Sequence, residues 1–305
     1  MTGAVLTALF FAGNAVCARR AALHYGGTTG NFLRLLLAAA LLGAWAHAAG
    51  AGVGGGALGW FLLSGAVGFG LGGLTMFHAL PRIGSNLAML IVQCGSAVAA
   101  ALIEWLWLGT RLSAAQAALA ALTLAGVSVA LLGPIGPSRP LSRAGITGGV
   151  VLAVISAIAQ GTGAVLSRKA FGVLHAHGFF MDGATSAYQR VLGGLAVGTF
   201  ALLVVRWWPA AGDRPVPEVE PAPAAVLPAW IWVVLNTLLG PVLGVTCFQW
   251  ALRAAPAGIV LPIVATAPLL TVPIARALEH SRPTPRFWLG AVLAVAGAAG
   301  LALVP

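Results

Sequence analysis

The sequence predicts an all-α integral membrane protein of ten transmembrane helices, arranged as two inverted five-helix repeats over residues 1–138 and 144–305. Three observations carry this. Hydrophobic residues make up 60% of the chain and charged residues only 7%, with a mean hydropathy of +0.98, whereas soluble domains carry about 25% charged residues. The apolar residues gather in stretches that approach the ~20 residues one helix needs to cross ~30 Å of hydrocarbon. The second half also repeats the first: "LTMFHALPRIG" (Leu74 to Gly84) returns as "VTCFQWALRAA" (Val245 to Ala255). A membrane barrel would show ~10-residue alternating segments instead.

The elements follow in order. Gly3–Ala18 is apolar, with Arg19 and Arg20 after its core and no basic region before it, which reads as a first spanning helix and not a cleaved leader. Phe32–Ala49 follows with Arg34 near its start, then Leu58–Leu80, Asn86–Leu108 and Ala114–Leu132. A proline-containing stretch, Gly133 to Ala144, separates the units. Gly145–Leu166 and Thr185–Val205 open the second unit. A proline-rich stretch from Arg206 to Pro228 holds Asp213, Glu218 and Glu220 and precedes Ala229–Ala251, Ala257–Leu278 and Phe287–Val304. Both stretches read as longer loops, and neither holds a soluble domain.

One constant offset carries Thr75 to Thr246, Phe77 to Phe248, Arg82 to Arg253, Arg111 to Arg282 and Gly126 to Gly297. Slightly smaller offsets carry "NAVCARRA" (Asn14 to Ala21) to "GAVLSRKA" (Gly163 to Ala170), Arg34 to Arg190 and Trp60 to Trp230. An odd number of helices per unit makes the second enter the membrane from the opposite side. Repeats of this kind point to a transporter with its substrate between the halves.

The net charge of +10 would suggest nucleic acid in a soluble protein, but the arginines stand singly at helix ends and in short loops, a pattern of topology. No nucleic-acid partner is expected. Cys17, Cys94 and Cys247 lie in apolar stretches without metal or redox spacing, so neither metal nor cofactor is expected. "GAVGFGLGG" (Gly65 to Gly73), "GLAVG" (Gly194 to Gly198) and "GAVLAVAGAAG" (Gly290 to Gly300) place small residues at close-packing spacing. The first has no strand before it and cradles no phosphate. Tryptophans at helix ends, among them Trp60, Trp105, Trp107, Trp207, Trp208, Trp230, Trp250 and Trp288, form interfacial belts.

Polar groups inside a bilayer are costly, so each needs a reason. Gln93 and Ser96, three residues apart, share one helix face, and Thr266 and Asn236 lie mid-helix in the second unit. Asn14, Gln160 and Thr162 lie past the middles of two repeat-matched helices. Gln93, Ser96, Asn236, Thr266, Asn14 and Gln160 are the candidate substrate-binding residues. The alternative for each is interhelical bonding, worth roughly 0.6–2 kcal/mol per contact, or, for the hydroxyls, a bond to their own helix. His78 with Thr75, and Gln249 with Thr246, form matched pairs nearer the helix ends, where bonding to water or loops is the plainer reading. Glu104, between "LI" and "WLWL", is the candidate for proton coupling, against the alternative that it snorkels to the interface. Glu279 stands three residues after Arg276, a spacing for a local ion pair.

Two five-helix units, each with a basic residue after its first helix, an arginine in its second, and a short turn after its fourth, resemble the EamA-like branch of the drug/metabolite transporter superfamily. "WLWLGTRLS" (Trp105 to Ser113) and "ARALEHSRPT" (Ala275 to Thr284) match best, and the resemblance covers the whole chain. Thr110 and Ser281 stand where family members usually carry an acidic residue. A proline usual midway along the fourth helix of each unit is present as Pro268 in the second but replaced by Ala97 in the first. The resemblance implies an exporter of a small metabolite, amino-acid-like compound or drug, multi-pass in a bacterial inner membrane among its lipids, working by alternating access with both termini inside. The six arginines without a repeat partner (Arg139, Arg143, Arg206, Arg214, Arg276, Arg286) all follow odd-numbered helices and point to termini outside. No nucleotide-binding motif is present, so ATP is not the direct energy source. With the arginines assigned to topology, the expected cargo is neutral, zwitterionic or amphipathic. The competing classes are a membrane enzyme acting on lipid, which needs clustered catalytic groups, and a non-transporting scaffold.

Overall fold

The structure, a computed structural model, describes residues 1–131, 143–207, 228–270 and 285–304. The described residues form α1 (Thr2–Tyr25), α2 (Gly27–Ala48), α3 (Leu58–Gly84), α4 (Leu87–Leu108), α5 (Ala114–Ala130), α6 (Gly145–Ala176), α7 (Gly183–Trp207), α8 (Ala229–Ala254), α9 (Ala257–Leu270) and α10 (Pro285–Leu303). All but α5 and α9 are long and apolar enough to cross a membrane. Large apolar side chains such as Leu106, Phe200, Trp288 and Val292 are more than 60% exposed. Such a surface is stable against lipid and not against water.

Two helix boundaries extend past the apolar stretches over polar residues that find partners. α2 begins five residues before Phe32 because Asn31 and Arg34 turn inward, and α6 runs ten residues past Leu166 because Ser167 and Arg168 find partners. The turns between α1 and α2 and between α3 and α4 are made by Gly26 (φ 79°) and Gly84 (φ 75°). A side chain at either would be strained in that backbone conformation. Asp182 caps α7: its Oδ1 accepts from the N–H groups of Ala184 and Thr185, both 2.9 Å away. The expected loops 133–144 and 206–228 lie mostly, and the Arg276–Glu279 pair wholly, outside the described residues.

The two halves pack on each other reciprocally. α1 lies against α8 and its counterpart α6 against α3; α2 pairs with its own counterpart α7, and α5 with α10. At the last interface the backbones nearly touch. A Cβ on Gly126 would come 2.7 Å from the Gly290 carbonyl oxygen, and one on Gly290 would run into the Gly126 oxygen and the Ala130 nitrogen. Only small residues permit that approach.

π-helical turns interrupt α3 at Ala66–Leu71 and α8 at Leu238–Val242. The offset that carries Thr75 to Thr246 also superposes these turns. In α8 the cause is Pro241, which lacks an N–H for the ladder; in α3 it is a run of glycines. Both turns face the centre of the molecule.

Candidate functional site: a central cavity between the halves

The π turns of α3 and α8, though not the third such turn at Glu104–Leu108 in α4, border a small cavity of about 50 Å³. Its wall is shared. α1 contributes Phe11 and Asn14, α2 Arg34, α3 Gly68, Phe69, Gly73 and Met76, and α4 Met89, Val92 and Gln93; the second half adds Gln160 from α6 and Gly240, Pro241 and Val245 from α8. A space of that size holds a few water molecules.

The residues singled out in the sequence divide into three groups. Asn14, Gln93 and Gln160 line the cavity. Gln93 is 6% exposed and its side-chain amide makes no hydrogen bond to the described residues. Gln160 Nε2 donates to Ser156 Oγ at 2.9 Å. Asn236 stands behind the wall, where its Nδ2 donates to Asn14 Oδ1 at 2.7 Å and so aims that side chain. Ser96, Thr266 and Glu104 are not part of the lining. Ser96 Oγ donates to the Gln93 carbonyl and Thr266 Oγ1 to that of Ile263, each within its own helix. Of the other polar positions, Thr162 bonds Ile158 on its own helix, and His78 Nε2 meets Thr28 Oγ1 at 3.1 Å.

Glu104 does not snorkel. It is 2% exposed, receives Arg168 Nε on Oε1 at 3.2 Å and the Gly258 backbone N–H on Oε2 at 3.1 Å. Arg168 Nη1 donates onward to the Leu252 carbonyl at 2.7 Å. One cluster thus joins α4 of the first half to α6, α8 and α9 of the second. It borders a wider opening of about 550 Å³ that Arg168, His175, Phe180 and Arg253 help to line.

The arginines are where the sequence reading falls short. Arg34 and Arg190 sit within α2 and α7, not at their ends, and are 6% and 3% exposed. Arg34 donates from Nε (3.0 Å) and Nη2 (2.8 Å) to Asn31 Oδ1 and lies 4.7 Å over the Phe77 ring. Arg190 donates from Nη1 to Gln249 Oε1 at 3.3 Å and lies over Phe69 and, at 6.0 Å, over Phe248, the repeat counterpart of Phe77. Among the described residues neither meets a carboxylate within ion-pair distance. An ion removed from water costs several kcal/mol; a charge-assisted hydrogen bond returns about 1.5–3 kcal/mol and a desolvated ring about 2 kcal/mol. The sequence held part of the signal, two arginines matched between the halves, but the depth of each, about 10 Å into its helix at 1.5 Å per residue, follows from helix starts that lie before the apolar stretches.

These features define a multi-pass integral membrane protein with a cavity of mixed polar and apolar lining between two halves. The chain belongs to the EamA-like transporter family, whose model matches residues 1–132 and 147–303, and it is a membrane transporter. A solved crystal structure aligns at 20% sequence identity with a TM-score of 0.66 over 99% of both chains, a likeness of fold alone. No curated protein matches by sequence.

Proposed function

We propose that this transporter is a secondary exporter that carries a small metabolite, an amino-acid-like compound or a drug out across a bacterial inner membrane by rocking its two halves around the central cavity. The observation that carries this reading is that both halves supply the lining and the π turns of α3 and α8 border it. A cavity this small must widen to load cargo, and interrupted helices flanking a site are where backbones yield. Glu104 is the coupling residue in this reading. Its carboxylate holds the halves together through Arg168, so taking up a proton and parting the halves become one event.

Reconstituted vesicles test it. Glu104→Gln is expected to abolish accumulation against a gradient while sparing counterflow exchange; unchanged proton-driven accumulation sinks the coupling role. Gln93→Leu is expected to abolish both, with folded protein in the membrane unchanged. Full exchange in that variant would remove the cavity from the transport path.

A further inference from the structure

Arg34 lines the cavity with its donor capacity only partly used. Nε and Nη2 share Asn31 Oδ1, the ring of Phe77 covers one face, and Nη1 has no hydrogen-bond partner among the described residues. Of the six acidic residues in the sequence, Glu104 is taken by Arg168 and Asp182 by the first turn of α7; Asp213, Glu218, Glu220 and Glu279 lie outside the described residues. We propose that the cargo carries a carboxylate and that Arg34 Nη1 anchors it. The proposal rests on the reading of the central cavity as the cargo site and narrows that reading to one class, small amphipathic monocarboxylates.

Three further observations fit that class. Arg190 adds positive charge to the same wall: its Nη2 lies 2.9 Å from where a Cβ on Gly68 would stand, and Gly68 lines the cavity. Room for the Arg34 guanidinium is kept by Gly73, whose Cβ would lie 2.6 Å from Nη2 and 2.8 Å from Asn31 Oδ1. The rest of the lining is largely apolar surface, from residues such as Phe11, Met76, Met89 and Val92, with uncharged amides from Asn14, Gln93 and Gln160. Such walls take an apolar body and orient it by neutral hydrogen bonds, leaving the charge to Arg34. The one Arg34 donor left over, Nη1, matches a single carboxylate oxygen of the cargo.

The test is protection of a cavity cysteine. In detergent-purified protein with Cys17, Cys94 and Cys247 replaced by alanine, Gln93→Cys is modified with N-ethylmaleimide in the presence of isocaproate or phenylacetate, or of their amides at matched ionic strength. The carboxylates are expected to protect at concentrations about tenfold or more below the amides, the ratio a charge-assisted hydrogen bond gives. In Arg34→Gln the ratio should fall to about one, and in Arg34→Lys it should stay above one. Equal protection, no protection by the carboxylates, or a ratio that survives Arg34→Gln overturns the anchor and leaves the cavity reading standing. Failure of N-ethylmaleimide to reach position 93 overturns the cavity reading and the anchor with it. Should Arg34→Gln fail to accumulate, Gly73→Ala displaces the guanidinium instead; a carboxylate preference unchanged there overturns the assignment.

Discussion

Arg34 and Arg190 occupy the same place in the two halves, yet their surroundings differ: Asn31 holds one and Gln249 the other. Of the two, only Arg34 lines the cavity. The same separation of roles applies to the amides. The Gln93 side-chain amide bonds nothing described, whereas Asn236 and Asn14 bond across helices, so their replacements should behave differently. Asn236→Leu is expected to lower the melting stability of the purified protein by roughly 1 kcal/mol, within the range of interhelical bonds in membranes, while Gln93→Leu leaves it nearly unchanged; thermal unfolding in detergent decides. Outside the spans, burial tends to raise the Asp182 carboxyl, but hydrogen bonds from the side chain and backbone of Thr185, and from Trp45 and Ala184, outweigh it and hold the group below its ordinary value of 3.8. A carboxyl lowered in the folded state stabilises fully above its unfolded value and loses that contribution as pH falls through the folded one. The melting temperature is therefore expected to decline as pH drops below about 4, with Asp182→Ala showing a flatter decline and, at neutral pH, a loss of about 1 kcal/mol of capping.

At the scale of elements, interruptions matter as much as helices. The π turns of α3 and α8, the glycine turns at Gly26 and Gly84, and the backbone contact of α5 with α10 all arise where the sequence lacks a side chain or an N–H. Gly126 and Gly290 approach each other so closely that Gly290→Val must push α10 from α5, an overpacking cost of about 1–3 kcal/mol. Nothing stands within 4 Å of a Cβ built on Gly148, inside α6, so Gly148→Ala is expected to raise stability by about 0.5–1 kcal/mol. Melting curves of the two variants should move in opposite directions. The sequence reading foresaw the run that holds Gly290 as a close-packing surface, but not its partner Gly126. It placed no π turn, because a widened turn leaves the apolar pattern intact and shows only in which carbonyl each N–H reaches.

For the whole molecule, the reciprocal contacts of the halves fit a two-fold-like arrangement, and the Glu104–Arg168 cluster is the charged fastening between them. The expected odd number of crossings in the first unit has a direct test: reporters fused after Gly136 and at the C-terminus are expected on opposite sides of the membrane, the C-terminal one in the cytoplasm. Both on one side would break the inverted arrangement.

The sequence by itself determined the all-helical membrane class and the family, because apolar content and motif spacing are properties of the chain read in one dimension. It also singled out Asn14, Gln93 and Gln160. Tertiary structure alone decided which polar groups converge and which satisfy themselves. Ser96 and Thr266 close onto their own carbonyls, and Glu104 meets a cation 64 residues away. Arg34 proves to be a buried cation at the cavity and not a topology signal. The physical reason is that the cost of a buried polar group depends on its partners, and partners brought together across helices have no spacing that the chain displays.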